Sequence, residues 1–235
     1  MLIEPEIAGA SIVLIGNFNP AIFSPDWFIR QGAIKQQEIV ADDPNFIVHS
    51  QVAQIKLDWC SILIEPNRYT ISTIRDPLVQ ISDLTARIFG EFLPHTPLRQ
   101  LGINRNVHFR VESLEVRDAI GYQLAPPESW GDWAPNIRAR SGLKRGGMVS
   151  LTMQQQVFAY ERSGYISTTV QPSTRIVDGF GVFVEVNDHF DPSLKDNESS
   201  TRIIMSILED GFESSLANAD TIIDQIMKLA YVRPR

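Results

Sequence analysis

Cysteine is nearly absent from this chain of 235 residues, which contains Cys60 and no other. A single cysteine excludes an internal disulfide bond and any metal site built from several thiolates. Long apolar runs are also missing, so the sequence predicts no membrane-spanning helix. Near the N-terminus, Glu4 and Glu6 stand where a secretory signal would be basic. These absences predict a cytoplasmic protein.

Basic residues are fewer than acidic ones. The chain has 21 Lys and Arg and 28 Asp and Glu, which gives a net charge of −7. The acidic excess is concentrated between Glu185 and Asp224, where only Lys195 and Arg202 oppose the acids. The overall field therefore argues against non-specific binding to nucleic acid. Binding to nucleic acid would therefore need a local basic surface.

Common catalytic patterns are missing as well. The sequence has no Gly-x-Ser-x-Gly elbow, no Walker-type phosphate loop and no second His or Cys at ligand spacing from any histidine. The segment GLKRGG, residues 142–147, has glycines and cations but precedes a strand instead of opening a helix. Cys60 lies between Trp59 and Ser61 and is interpreted as a small core residue. We therefore predict no catalytic residue, cofactor or metal, and favour a non-enzymatic role.

One stretch keeps an enzymatic alternative open. EVNDHFD places Glu185, Asp188, His189 and Asp191 at the end of a predicted strand. Carboxylates with a histidine are suitable ligands for a divalent cation, but the spacing matches no EF-hand loop. The simpler interpretation is an acidic turn facing water. An enzyme with a site of dispersed acidic residues is retained as the second alternative function.

Alternating apolar and polar residues predict a series of β-rich segments. They cover residues 11–16, 46–59, 60–74, 98–113, 148–160, 164–173 and 179–190. Helices are predicted over 25–31, 76–93, 116–124 and 200–231. In the second of these helices, Asp76 is expected to be the cap and Pro77 the first residue. This order predicts an α+β fold, mainly an antiparallel sheet with helices on one face, two similar strand-then-helix halves and a long C-terminal helix.

The segment GNFNPAIFSPDWF, residues 16–28, is interpreted as a structural corner. Its Asn-Pro pair favours a turn. Ser24 and Pro25 suit the cap and the first residue of a short helix. The alternative is a ligand loop in which Asn17 and Asn19 contact a partner.

The chain is predicted to form a single α+β domain over residues 1–235. The alternative is a subdivision into 1–125 and 148–235, because residues 126–147 form a connection rich in Trp, Arg and Gly. That composition marks a domain boundary, and it also makes the connection a candidate interaction loop.

The connection contains two tryptophans followed by four cations, and it has no acidic residue from Ala134 to Gly147. Arginine and tryptophan commonly anchor protein interfaces, and cations interleaved with aromatics also suit single-stranded nucleic acid. A third interpretation is a solvated loop whose tryptophans pack back on the core. The candidate interaction residues of this basic loop are Trp130, Trp133, Arg138, Arg140, Lys144 and Arg145.

The final helix supplies a second candidate surface. Its apolar residues recur at intervals of three and four, close to the seam of a coiled coil. Such a face packs on the chain's own sheet or docks a second copy. In the second case the basic loop and the acidic helix would suit head-to-tail self-assembly. The candidate contact residues of the helix are Met205, Leu208, Phe212, Leu216 and Ile223.

Three motifs resemble a sporadically distributed group of uncharacterised prokaryotic proteins: the turn Phe18-Asn19-Pro20, the run LTARIFGEFL and the strand LRQLGINRNVHF. The resemblance covers about the first half of the chain. It implies a bacterial source and a complex of the defence type, and it brings no activity with it. The predicted role is an assembly or protein-interaction component that self-associates or joins a larger complex. Binding of nucleic acid or a phosphate ligand through the basic loop is the first alternative.

Overall fold

The computed structural model describes residues 3–39, 46–141, 144–159, 162–192 and 200–231. The strands of these residues are β1 (Ile7–Gly16), β2 (Ile47–His49), β3 (Val52–Lys56), β4 (Ser61–Glu65), β5 (Arg68–Thr73), β6 (Leu98–Arg110), β7 (Arg140–Ser141), β8 (Lys144–Arg145), β9 (Leu151–Ala159), β10 (Arg162–Pro172) and β11 (Gly181–Phe190). The α-helices are α1 (Pro25–Arg30), α2 (Gln80–Ala86), α3 (Leu114–Leu124), α4 (Ala134–Ile137) and α5 (Ser200–Met227). The predicted α+β class and the long C-terminal helix are confirmed.

Nine of these strands form one sheet in the order β2-β3-β4-β5-β1-β6-β11-β10-β9. Every neighbouring pair in this sheet is antiparallel. The remaining strands, β7 and β8, form a separate two-residue ladder within the basic loop. The predicted antiparallel sheet is therefore confirmed.

The sheet consists of two halves with the same topology. The first half runs β1, α1, β3, β4, β5, α2, and the second runs β6, α3, β9, β10, β11, α5. In each half the first strand pairs with the last, as β1 with β5 and β6 with β11. The two first strands pair with each other in the middle, where Ile12 lies opposite Ile103. The predicted repetition of strands followed by a helix is present, and β2 is an addition to the first half.

The helices pack on one face of the sheet, where the alternate residues of each strand are buried. Tyr69 of β5 hydrogen-bonds Thr85 of α2 at 3.4 Å. Arg105 of β6 donates to Asp220 of α5 at 2.8 Å. Directly paired strand residues share a face, and Leu14 of β1 is paired with both Tyr69 and Leu101. Both helices therefore lie on the same face, and the opposite face is called the open face below.

Helix α5 crosses both halves, because its buried residues belong to two different core clusters. Ile204 and Leu208 pack with the core of the first half. Ala219 and Ile223 pack with the core of the second half. The first core is rich in aromatic rings and the second in valine. One helix thus ties together two cores of different composition.

Residues 16–28 have the geometry of the expected corner. The Asn19 side chain accepts a hydrogen bond from the Ala21 amide, and Ser24 Oγ accepts one from the Trp27 amide. Phe23 and Phe28 are almost completely buried. The two local caps therefore turn the chain so that these rings cover the core of the first half.

The predicted start of the helix over residues 76–93 is wrong. The amides of Gln80 and Ile81 donate to the carbonyls three residues earlier, at Pro77 and Leu78. Such bonds make a tighter turn than an α-helix. Helix α2 therefore begins at Gln80, without the Asp76 cap, and continues as a π-helix over Arg87–Phe92.

The connection at 126–147 lies within the second half, between α3 and β9. Strands from both sides of it, β6 and β11, are neighbours in one sheet. The topological halves divide before β6.

None of the described helices combines the length and the apolar character that crossing a membrane requires.

Candidate functional site

The apolar face of α5 is covered by the chain's own sheet. Met205, Leu208, Phe212 and Ile223 are at most 4% exposed, and Leu216 is half-buried against the same core. Of the two interpretations given to this face, packing on the sheet is the one that the fold realises. The expectation that these five residues form a contact surface is corrected accordingly, because a second copy would have to displace the core to reach them.

Polar bonds fix α5 in this position. Arg105, with its side chain 7% exposed, donates to Asp220 of the helix and to the Gly9 carbonyl. Ser215 donates to Asp188 of β11 at 2.7 Å in a buried contact. These bonds satisfy buried polar groups whose isolation would be costly. Asp188 and Asp220, two acids of the segment that was predicted to attract a basic loop, therefore form bonds within the fold.

The cations of the basic loop are paired with the acids of α3. Arg145 donates to Asp118 at 2.9 Å and to Glu115 at 2.8 Å, and Arg117 donates to the other oxygen of Asp118 at 2.9 Å. Arg140 lies 3.8 Å from Asp118. The hydrogen bond from Arg145 lowers the pKa of Glu115. The loop thus folds back on α3 as an ion-pair network.

Arg138 and Lys144 are the two remaining cations of the predicted loop. Arg138 is bonded to Glu128, and its guanidinium lies 5.5 Å from the centre of the Tyr122 ring. The Lys144 side chain lies outside the described residues. Because Arg138, Arg140 and Arg145 all have carboxylate neighbours, they offer little net positive charge to an external polyanion.

The tryptophans of the loop do not pack back on the core. Trp130 and Trp133 are each 57% exposed. Their rings contact each other edge to face, with 5.7 Å between centroids. Between them Gly131 has φ of 58°, in the left-handed region that glycine tolerates best. An exposed pair of large aromatic rings is retained as a candidate contact with a protein partner.

Strand β9 is a surface that the sequence reasoning did not single out. It lies at the end of the sheet, and within the described chain its neighbour on the sheet is β10 alone. Every residue from Thr152 to Gln156 is exposed, so both faces of the strand reach solvent. The strand, LTMQQQVFA, contains no charged residue and no proline. The lack of charge was visible in the sequence, but the position at the edge was not.

The side chains of β9 alternate between the two faces of the sheet, and the helix-face row contains Gln155 as well as apolar residues. Leu151, Met153 and Val157 point to the helix face, since they pair with Val170, Thr168 and Gly164 of β10. Thr152, Gln154 and Gln156 point to the open face. Met153 is 67% exposed even though it lies on the side where the helices cover the centre of the sheet. The helix layer therefore ends before β9.

The acids and histidine of EVNDHFD are separated by the strand alternation. Asp188 faces α5, where it accepts from Ser215. Glu185 and His189 face the other side, and the His189 ring stacks on Tyr165 at 4.5 Å. Burial lowers the pKa of His189 and raises that of Glu185. Within the described part of the chain no three such groups converge as metal ligands.

Cys60 occupies the wall of a groove on the open face but is itself 4% exposed. Burial raises the pKa of its thiol, with smaller contributions from Glu38 and Asp58. The thiolate that a nucleophile needs is therefore disfavoured. This environment agrees with the interpretation of Cys60 as a small core residue.

The chain matches no protein-family model, and no curated protein is significantly similar to it. The resemblance to the prokaryotic group therefore stays a prediction. The surfaces that the geometry offers are the edge of β9, the tryptophan pair and the groove on the open face.

Proposed function

We propose that this protein is a non-enzymatic assembly component that pairs with a second copy of itself through strand β9. The observation that carries the proposal is the uncharged, nine-residue strand at the end of the sheet, exposed on both faces. Among the described strands none pairs with its outer row of backbone N–H and C=O groups. Natural proteins usually block such an edge with a charge, a proline, a bulge or a cover.

Pairing with a second copy satisfies both the backbone and the side chains. A two-fold axis perpendicular to the sheet makes two β9 strands antiparallel and keeps both helix layers on the same side. The row formed by Leu151, Met153, Gln155 and Val157 then adjoins the same row of the second copy. Because β9 carries no charge, self-pairing brings no like charges together.

The opposite end of the sheet supports the choice of β9. It ends in β2, which is only three residues long. Very short edge strands are one way in which natural sheets avoid pairing with another chain. In the described part of the chain the sheet therefore has one short edge and one long edge, which favours a closed dimer over a continuous fibre.

The exposed Trp130 and Trp133 extend the proposal to a further protein partner, for which large aromatic rings are suitable anchors. The resemblance of the sequence to prokaryotic proteins would place this assembly in a bacterial cytoplasm, within a larger complex. Nucleic-acid binding by the basic loop has no comparable support, because its described arginines are paired with acids.

The test compares Met153→Lys with Val48→Lys by native mass spectrometry and sedimentation velocity. Each variant adds one lysine at an exposed position of an edge strand, at opposite ends of the sheet. We expect the parent protein and Val48→Lys to have twice the chain mass of 26.5 kDa. Met153→Lys should have the single-chain mass, because a charged lysine on an edge strand opposes pairing and self-pairing would bring two like charges into the same row.

Thermal unfolding of the separated species checks that Met153→Lys remains folded. A parent protein that stays monomeric at the highest soluble concentration would refute the proposal. So would a folded Met153→Lys variant that keeps the doubled mass.

A further inference from the structure

The open face carries a groove that the assembly proposal does not use. The groove has a volume of about 580 Å³ and lies where the starts of β1 and β11 meet the ends of β5, β6 and β10. Its floor includes Asn106 and His108 of β6, and Trp59 and Phe183 contribute apolar walls. None of the residues of β9 whose side chains the structure describes, 151–157, lines it. It is therefore a second site, separate from the proposed dimer edge.

The groove is bordered by more positive than negative charge. Lys56, Arg75 and Arg175 line it together with one carboxylate, that of Asp58. Arg75 and Arg175 are exposed, and no carboxylate of the described residues forms an ion pair with either of them. This differs from the basic loop, where each described arginine is matched by an acid. Two guanidinium groups are thus available to a ligand in the groove.

The tautomer of His108 follows from the hydrogen bonds of Ser173. Ser173 Oγ accepts from the amides of Arg175, at 3.1 Å, and Ile176, at 3.2 Å. A hydroxyl oxygen has two acceptor positions, and these amides occupy both. The contact of 2.8 Å between Ser173 Oγ and His108 Nδ1 must therefore use the hydroxyl hydrogen, which Ser173 donates. Nδ1 is unprotonated, so the ring proton is on Nε2.

The surroundings keep the ring neutral and fixed. His108 is 8% exposed, and its ring lies 4.6 Å from that of Phe183. Burial, together with the charge of Arg175, lowers the pKa of His108. With Nδ1 held by Ser173, Nε2–H is the donor that His108 offers to a molecule in the groove. A fixed N–H donor beside guanidinium groups is suited to an oxygen that bears negative charge.

We propose that this groove binds a small molecule with an oxyanion group, a phosphate or a carboxylate. His108 Nε2–H and the guanidinium of Arg175 contact the oxyanion, and Arg75 adds positive charge on the opposite wall. Trp59 and Phe183 contact the remainder of the molecule. Ser173 is a positioning residue, because it acts through the tautomer of His108.

The test observes the imidazole nitrogens by ¹⁵N NMR during titration with inorganic phosphate and, separately, with acetate. Before titration, His108 should show the pattern of a neutral ring protonated on Nε2. At least one anion should then shift the Nε2 resonance in a saturable manner. The anion that saturates at the lower concentration identifies which class of oxyanion the groove prefers.

Two arginine variants make the test specific. Arg175→Gln should raise the apparent Kd of the preferred anion about tenfold, the loss expected for one charge-assisted hydrogen bond. Arg99→Gln is the matched control, since Arg99 is an exposed arginine on β6 that does not line the groove. It should leave the Kd unchanged.

Three results would overturn the proposal: no saturable shift with either anion, a His108 ring protonated on Nδ1, or equal weakening by both arginine variants. The last result would indicate a general effect of charge. Because none of the described β9 side chains lines the groove, the monomeric Met153→Lys variant should bind the same anion. The anion proposal can therefore be correct if the dimer proposal fails, and the dimer proposal can be correct if the anion proposal fails.

Discussion

In the first half of the sheet, strand β3 is covered, whereas its counterpart β9 in the second half is not. Ala53 and Ile55 of β3 are completely buried, and β2 pairs with the outer side of the strand. The residues of β9 from Thr152 to Gln156 are exposed instead. The two strands occupy equivalent places in the same topology. Their difference shows that topology alone does not decide whether an edge is closed, because covering groups must also be supplied.

The covering groups of the first half come from the connection between β1 and β3. The rings of Phe23 and Phe28 lie 6.1 Å apart, and the ring of Phe23 lies 6.4 Å from that of Phe89 in the same core. The equivalent connection in the second half contains α3 and the basic loop, which are occupied with their own ion pairs. Its two exposed tryptophans are directed to solvent. Among the described residues, the second half therefore leaves an uncovered edge strand and two exposed tryptophans.

The largest expected effect is a difference in the loss of unfolding free energy between one substitution in each core. Phe89→Ala removes a ring that contacts Phe18, Phe23 and Tyr69, and should cost about 3–5 kcal/mol of unfolding free energy. Val184→Ala, at an equally buried position of the second core, should cost about 2 kcal/mol because it removes only two methyl groups. Urea unfolding measures both. Equal losses would show that the cost in the two cores does not follow the size of the group removed.

A smaller effect tests how closely the two halves correspond. Ser24 caps α1 and Ser113 caps α3, each by accepting from the amide three residues later, at 3.2 Å and 3.3 Å. Replacement of either serine by alanine should cost about 1 kcal/mol, since the same hydrogen bond is lost. Thermal unfolding of the two single variants and the double variant checks this. A cost confined to one half would show that only one of the two caps contributes to stability.

The smallest expected effect concerns the open face of the second half. Burial raises the pKa of Glu185 above its ordinary value of 4.5, so the folded state binds this proton more tightly than the unfolded state does. The corresponding stability is present below pH 4.5 and is lost as the pH rises through the folded pKa. Glu185→Gln should therefore raise the Tm at neutral pH.

The same variant at acid pH provides the control. Below pH 4.5 the parent carboxyl is protonated in both states, so the gain from Glu185→Gln should disappear. A gain that is independent of pH would point to packing instead of charge. A loss at neutral pH would mean that the Glu185 carboxylate stabilises the fold, and would contradict the assigned direction of the pKa.

Strands and the final helix were predictable because their signals are local. Val48, Val52 and Ile55 lie in segments whose alternating pattern predicted strands, and strands are present there. The intervals of three and four in α5 also identified its apolar face, although not that the sheet covers it. The start of α2 was not predictable from its Asp-Pro pair, because the first turn is set by i to i+3 hydrogen bonds that the pair does not specify.

The candidate site was predicted less well than the fold. Trp130 and Trp133 are exposed, as a contact surface requires. Arg145, however, is held by Asp118 and Glu115, which precede it by 27 and 30 residues. A count of charges along the loop could not find partners at that separation. The groove was also missed, because its residues come from seven different strands and the loops between them.

By itself, the sequence determined the α+β composition, the antiparallel strands and the amphipathic final helix, because hydrophobic periodicity acts between residues that are close along the chain. The tertiary structure alone decided which strand lies at the edge of the sheet, which arginines are paired with acids and which residues line the groove. These properties depend on contacts between distant segments, such as Ser173 with His108 and Asp118 with Arg145. Burial and hydrogen bonding at those contacts set the charge and the exposure on which function depends.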